Sequence, residues 1–177
     1  MIEQLPSPPS PADLAALHAL LRDAVEGGAS VGFRLPFPAS EVTSFWSDIF
    51  ASVADGHRLL LAARDDTGRL VGSVQLELAQ KPNSRHRCEL QKLLVLRSHR
   101  GRRLGHALMQ AAETAARAHG RTLIHLDTSA TGNALGLYAR CGYTRAGVIP
   151  RYATDPDGSL IDMIVAARTL VYRGGSS

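Results

Sequence analysis

The sequence predicts a mixed α/β fold of the α+β kind: one domain with a mixed, mostly antiparallel central sheet flanked by helices. Three observations predict it. Two stretches of helical spacing lead the chain, a run of strand-like segments joined by tight turns follows, and the second half alternates strand, helix, strand, helix, strand, strand. The 177 residues suit one domain, and the apolar fraction of 45% is that of an ordinary globular protein.

Residues 1–12, "MIEQLPSPPSPA", hold four prolines and two serines and read as a mobile arm. Residues 13–172 read as the folded domain, and 173–177 as a flexible tail. "PADLAALHALLRDAVEGG" spaces Leu14, Leu17, Leu20, Leu21 and Val25 as one helical face, which Gly27 and Gly28 end. "PASEVTSFWSDIFASVADG" is a second helix, with Ser40 as N-cap, Phe45, Ile49 and Val53 on the helical period, and Gly56 as the stop. "GGASVGFRLPFP", between them, reads either as a lid or as a packed connector around Phe33 and Phe37. "RLLLAARDDTGRLVGSVQLELA" is a hairpin about "DDTG". After the polar loop "QKPNSRH" comes a strand over 88–96, "CELQKLLVL". A helix over about 102–119 places Leu104, Leu108, Ala111, Ala112 and Ala115 on one face, and Gly120 closes it. "TLIHLDT" is a short strand ending in Asp127, and "GNALGLYARCG" is a short helix stopped by Gly142. "YTRAGVIPRY" and "SLIDMIVAARTL" are two strands separated by "DPDG".

Composition narrows the function. No apolar run approaches a membrane span and none has the form of a signal peptide, so the expected setting is cytoplasmic, with no membrane partner. Cys88 and Cys141 lack CxxC spacing and read as buried thiols. The seven histidines form neither HExxH nor a Cys/His cluster, so no metal is expected. The net charge of +4 suits an anionic ligand, and it is concentrated in "RSHRGRR", four arginines without a carboxylate. Aromatics make up only 5% of the chain and none lies near that loop, so stacking platforms for nucleic acid are missing.

The segment "SHRGRRLGHALMQAAE", residues 98–113, carries the central signal. A strand ends, a basic glycine-containing loop follows, and a helix begins. Unbonded N–H groups in the first turn of that helix, together with its dipole, make an anion site. Gly101 and Gly105 leave backbone open to a ligand, and the arginines add charge and phosphate-shaped donors. GxxxxGK[ST] is absent and the glycines do not match GxGxxG, so neither a P-loop nor a dinucleotide fingerprint is present.

Arg100-Gly101-Arg102-Arg103-Leu104-Gly105 resembles the acyl-CoA loop of the GNAT superfamily of N-acetyltransferases, Q/R-x-x-G-x-G/A. Arg103 stands where that pattern has its first glycine, a departure that a negative φ in the first helical turn would accommodate. "GNALGLYARCGYTR", with Asn133, Tyr138, Gly142 and Tyr143, resembles the family's following segment, in the right order and at a fitting distance. "GGASVGF", "QKPN", "CELQKLLVL", "LIHLDT" and "PRYATDPDGSL" are further similar to the tabtoxin-resistance acetyltransferases, over about Gly27 to Leu170. The resemblance implies a GNAT fold with a splayed strand pair binding acetyl-CoA. It implies transfer of acetyl to a small-molecule amine such as a β-lactam amino-acid toxin, by a monomer or a homodimer. A protein N-terminus or a polyamine is the alternative acceptor, and a non-catalytic CoA-binding module the remaining one.

Such a transfer needs a base for the ammonium of the acceptor and a proton for the departing thiolate. Glu89 alternates with Leu90, which puts it on a face with Gln91, Leu93 and Val95, and a carboxylate among apolar neighbours is a stronger base. Asp127 ends the adjacent strand, about 5 Å away by ordinary strand spacing. The resemblance implies this pair, Glu89 and Asp127, as general bases, and Tyr138 as the acid. A pairing of Glu89 with a loop arginine, capping by Asp127 and simple packing of Tyr138 are the structural alternatives. For the cofactor, the N–H groups of Arg102, Arg103, Leu104, Gly105, His106 and Ala107 are expected to meet the pyrophosphate. The backbone of Leu94, Val95 and Leu96, together with Asn133, is expected to meet the pantetheine arm.

Overall fold

A computed structural model describes residues 1–170 apart from Leu35, Thr131, Asn133 and Pro156. The elements are β1 (Ile2–Gln4), α1 (Pro11–Glu26), α2 (Ala39–Ala54), β2 (Arg58–Arg64), β3 (Leu70–Leu78), β4 (Arg87–Val95), α3 (Leu104–Ala118), β5 (Leu123–Ser129), α4 (Leu135–Arg140), β6 (Thr144–Thr154) and β7 (Leu160–Thr169). Among the described residues they form one seven-stranded sheet in the order β1-β2-β3-β4-β5-β7-β6. Every pairing is antiparallel except β4 with β5.

The chain start departs from the expected mobile arm. Ile2–Gln4 pairs with Gln4 opposite Leu61 on β2, and Leu5 is buried. Arg64 fastens it by ion pairs to Glu3 (2.5 Å) and Asp13 (2.8 Å), and the Ser7 hydroxyl donates to the Phe50 carbonyl. Ser10 then accepts from the Asp13 N–H as a true N-cap, with Pro11 in the first turn, so α1 begins earlier than position 13. The proposed tail at 173–177 lies outside the described residues.

Two apolar layers sandwich the sheet. On one face α1 and α2 bury Leu17, Leu21, Val42, Trp46 and Phe50 against Leu60, Ala62 and Leu94. Ser40 does not cap α2. The helix starts at Ala39 after Pro38, and its buried stripe is Val42, Trp46, Ile49 and Phe50, with Phe45 and Val53 only partly covered. Phe33 and Phe37 are buried in the same layer, 5.6 Å apart edge to face, so at these two rings the 27–38 segment is a packed connector. On the other face α3 sets Leu108, Met109, Ala112 and Ala116 against Val74, Leu76, Cys88, Leu90, Ile124 and Leu126. Both cysteines are free and buried, as the spacing predicts.

β4 holds the feature that shapes the site. Gln91 opposes Gln75 and Leu94 opposes Ser73, so Lys92 and Leu93 together oppose Val74. This is a β-bulge, with Lys92 at φ 48°. One extra residue reverses the alternation. Cys88 and Leu90 therefore pack on the α3 side with Leu93 and Val95, while Leu94 packs on the α1/α2 side.

Candidate active site

The site forms where β4 and β5 part. Their ladder covers only Arg87, Cys88 and Glu89 opposite Leu123, Ile124 and His125. Beyond Glu89 the strands diverge, and a cavity of about 1230 Å³ opens between them. Its walls include Leu93, Leu94 and Val95 of β4, the start of α3, Tyr138 of α4, the 27–32 segment, and Tyr152 and Met163 of the β6–β7 hairpin. The Ser30 hydroxyl donates to the Thr154 carbonyl at 3.3 Å, joining the 27–32 segment to the hairpin over the cavity.

The loop before α3 has the form its sequence implies, with one correction. Gly101 turns at φ 78°, and the Arg103 N-cap is left-handed at φ 60°, ψ 10°, not at the negative φ that a helix-turn arginine was expected to keep. A non-glycine residue in that well costs roughly 1–2 kcal/mol. The Ala107 N–H is bonded to the Arg103 carbonyl at 3.0 Å, so the helix's open donors are those of Leu104, Gly105 and His106. These three residues and Arg103 line the cavity; Arg102 and Ala107 do not. The Gly105 position is set by close approach: a Cβ there would stand 3.1 Å from Leu137 of α4. His106 is half-buried and lines the cavity.

The charge of the loop is divided. Arg97 is spent on Asp23 of α1, through its Nε (2.9 Å) and its backbone N–H (2.8 Å), and Arg100 Nε donates to the Val95 carbonyl. Arg102 and Arg103 are exposed. Along β4, Leu94 and Val95 line the cavity, and so does Leu93, which sequence reasoning missed. Leu96 does not: its N–H bonds the Val71 carbonyl and its carbonyl accepts from His99, so its backbone is committed elsewhere. Asn133 lies outside the described residues.

Glu89 and Asp127 share one face of the sheet, opposite the face on which Leu90, Ile124 and Leu126 pack against α3. The bulge corrects the expected company of Glu89. Gln91 stays on its face, but Leu93 and Val95 turn to the other side, and the neighbours are polar. Gln91 Nε2 donates to Glu89 Oε1 at 2.9 Å, and Gln91 Oε1 accepts from buried Arg58 at 2.8 Å. Arg58 also holds Gln75 (2.8 Å) and Glu77 (2.6 Å). Glu89 is thus oriented by a side-chain chain reaching back to β2, and no loop arginine pairs with it among the described residues. No sequence signal singles out Arg58 or Gln91, because their meeting depends on strand register.

Lys92 stands between the carboxylates and the helical face. Burial lowers its proton affinity, and Arg58 adds to that, while the charges of Asp127 and Glu89 oppose it. Tyr138 is buried in the α3-side core, 6.2 Å from the Tyr143 ring, and also lines the cavity. Burial pushes its phenol up to about 12, with the charge of Asp127 adding to the effect, so it stays protonated through the neutral range. Packing and an exposed edge to the site are therefore combined in one residue.

These residues fit acetyl-CoA on their own geometry. A helix start offers three N–H groups with no partner among the described residues, two arginines without an ion pair among those residues flank them, and β4 beyond the splay lines the same cavity as a protonated tyrosine. No group of three or more His, Cys, Asp or Glu able to hold a metal occurs among the described residues. No helix among them is long and apolar enough to cross a membrane.

Comparison with known proteins agrees. The chain's overall shape is similar to a ribosomal-protein-alanine N-acetyltransferase from Brucella melitensis, at 22% identity and TM-score 0.80, over 96% of this chain and 99% of that one. It is similar to a phosphinothricin acetyltransferase from Sinorhizobium meliloti solved with acetyl-CoA, at 18% identity and TM-score 0.79, over 96% of this chain and 88% of that one. An aminoglycoside 6′-N-acetyltransferase complexed with coenzyme A matches at 20% identity and TM-score 0.73, over 99% of both chains. The sequence model of the acetyltransferase (GNAT) family matches residues 17–143. The chain therefore belongs to the GNAT family, enzymes that transfer acetyl from acetyl-CoA to amines.

Proposed function

We propose that the acceptor of this N-acetyltransferase is a primary amine on a small molecule, of the class of a β-lactam amino-acid toxin such as tabtoxinine-β-lactam. The observation that carries the reading is the pair Glu89 and Asp127 on one sheet face, opening into a cavity that the 27–32 segment and the β6–β7 hairpin roof over. A roofed cavity suits a small acceptor better than a long peptide. Two free buried thiols suit a reducing cytoplasm, where acetyl-CoA is at hand.

Acetyl-CoA, when bound, supplies an acyl thioester. Leu104, Gly105 and His106 offer their N–H groups to its pyrophosphate, with Arg102 and Arg103 as nearby positive charge. Leu94 and Val95 offer strand backbone to the pantetheine arm. Glu89 or Asp127 takes the ammonium proton of the acceptor, directly or through water, and so frees its lone pair. Tyr138 holds a proton at its hydroxyl where the departing thiolate needs a donor. Glu89 is kept in place by Gln91 and Arg58.

A polyamine is the second reading, and one observation favours it. A neighbouring cleft of about 580 Å³ carries Glu41 and Asp48 of α2, which would attract a further ammonium. Release of CoA thiol with tabtoxinine-β-lactam, a diamine, spermidine and a basic peptide decides. Turnover confined to the β-lactam amino acid supports the first reading. Turnover confined to spermidine or the peptide discards it and keeps the chemistry.

A further inference from the structure

We propose that Lys92 reads a carboxylate on the acceptor, so that the amine acetylated here belongs to an amino acid and not to a simple amine. The proposal rests on the acetyl-transfer reading above and adds to it the residue that selects an amino-acid acceptor.

Lys92 is held in place at a cost and, among the described residues, is given no hydrogen-bonding or ionic partner for it. It is the bulge residue of β4, in the left-handed region at φ 48°. Glycine or asparagine suits such a backbone, and lysine does not. Its ammonium is largely withdrawn from water, yet it makes no hydrogen bond or ion pair among the described residues. Nζ lies 5.9 Å from the centroid of the Phe45 ring, and a Cβ at Gly32 would stand 3.7 Å from it. Arg58, whose charge also acts on Lys92, is already paired with Glu77 at 2.6 Å.

Its place explains the arrangement. Lys92 lines both the large cavity and the cleft beside it, at the join between them. Glu89 and Asp127 line that same large cavity, so Lys92 shares their chamber. The chamber therefore presents two carboxylates for an ammonium and, a short distance on, one ammonium with three unmet donors. A small molecule that carries an amine and a carboxylate a few bonds apart meets both. A strained, half-buried ammonium on a cavity wall, with only an aromatic face beside it, is what a waiting ligand contact looks like.

The test compares matched acceptors that differ in the carboxylate: L-lysine against 1,5-diaminopentane, L-ornithine against 1,4-diaminobutane, and tabtoxinine-β-lactam against its methyl ester. The ratio of kcat/KM within each pair is measured for the full chain and for Lys92→Asn, Lys92→Gln and Lys92→Arg. Asparagine tolerates the left-handed backbone, and thermal unfolding of each variant verifies the fold. Wild-type protein should favour the carboxylate member of at least one pair. Lys92→Asn and Lys92→Gln should compress that ratio by about ten- to hundredfold, the effect of losing one charged hydrogen bond, and Lys92→Arg should retain most of it. A wild-type enzyme that turns over both members equally overturns the proposal. So does a preference that survives in Lys92→Asn, or a loss equal for both members, which would make Lys92 a support for the carboxylates alone. Absence of turnover with every amine while acetyl-CoA binds is a different result: it overturns the acetyl-transfer reading on which this one rests.

Discussion

Replacing Arg103 by glycine should make the protein more stable while weakening its hold on acetyl-CoA. Arg103 caps α3 at φ 60°, ψ 10°. The left-handed well costs a non-glycine residue roughly 1–2 kcal/mol. Glycine relieves that and adds roughly 0.5–1 kcal/mol of unfolded-state entropy to be lost. No ion pair or side-chain cap bond of Arg103 is forfeited among the described residues, and the backbone bond from Ala107 to its carbonyl remains. The balance is a gain of about 0–1.5 kcal/mol, a rise in Tm of at most roughly 5 °C for a domain of this size. Arg103→Ala is the control. It removes the same charge but keeps a Cβ in the left-handed well, so it should be less stable than Arg103→Gly by about 1 kcal/mol. Both variants lose one cation beside the pyrophosphate cradle, so both should bind acetyl-CoA more weakly, and the difference from wild type should shrink as salt rises. Thermal unfolding and a titration with acetyl-CoA at two salt concentrations give both quantities. A Tm for Arg103→Gly at or below that of Arg103→Ala would refute the strain argument. Unchanged affinity in both would remove the arginine from the cradle.

Tyr138→Phe should lower kcat and leave acetyl-CoA binding intact, and normal turnover would reduce Tyr138 to packing. With its phenol pushed up to about 12, Tyr138 should contribute no alkaline fall in kcat below about pH 11; a pH–rate profile checks this. Burial pushes the Cys88 thiol up to about 12, so a thiol reagent at pH 8 should leave Cys88 unmodified until the protein is denatured, as mass spectrometry would show. Buried Glu113 on α3 meets Arg168 of β7 at 2.6 Å, and Glu113→Ala should cost about 1–3 kcal/mol in chemical denaturation, because Arg168 loses its carboxylate but keeps its bond to the Cys141 carbonyl.

What was legible in the sequence, and what was not, follows from the range of the interactions. The hairpin about "DDTG" and the basic loop before α3 are local patterns and appear where they fall, while the buried α3 stripe is Leu108, Met109, Ala112 and Ala116, with Leu104, Ala111 and Ala115 at its partly covered margin. The start of the chain was misjudged because proline content outweighed two other signals. Ser10-Pro11-Ala12-Asp13 is itself an N-cap with proline in the first turn, and Leu5 needed only a sheet edge to bury against. Ser40 looks like a cap because of its type, yet the chain turns into α2 already after Pro38. The bulge was hidden for a deeper reason. A lysine gives no hint of a left-handed backbone, and only the pairing of β4 with β3 reveals that Lys92 and Leu93 share one partner. That single extra residue moved Leu93 and Val95 away from Glu89 and set Lys92 in the chamber. Arg58 and Gln91 were invisible alike, since they meet across three strands. The shared face of Glu89 and Asp127 was legible from the alternation of two adjacent strands, whereas the register sets Glu89 opposite His125 and leaves Asp127 two residues further on, where the strands diverge.

The central claim is that Glu89 serves as a base in acetyl transfer. Its most direct test is kcat of Glu89→Gln against wild type at saturating acetyl-CoA and amine, with acetyl-CoA affinity measured in parallel. Glutamine keeps the size and can still bond Gln91, so only the proton acceptor is lost. The account predicts a fall in kcat of at least about tenfold with affinity unchanged. An undiminished kcat would contradict it and leave Asp127 alone, or solvent, to take the proton.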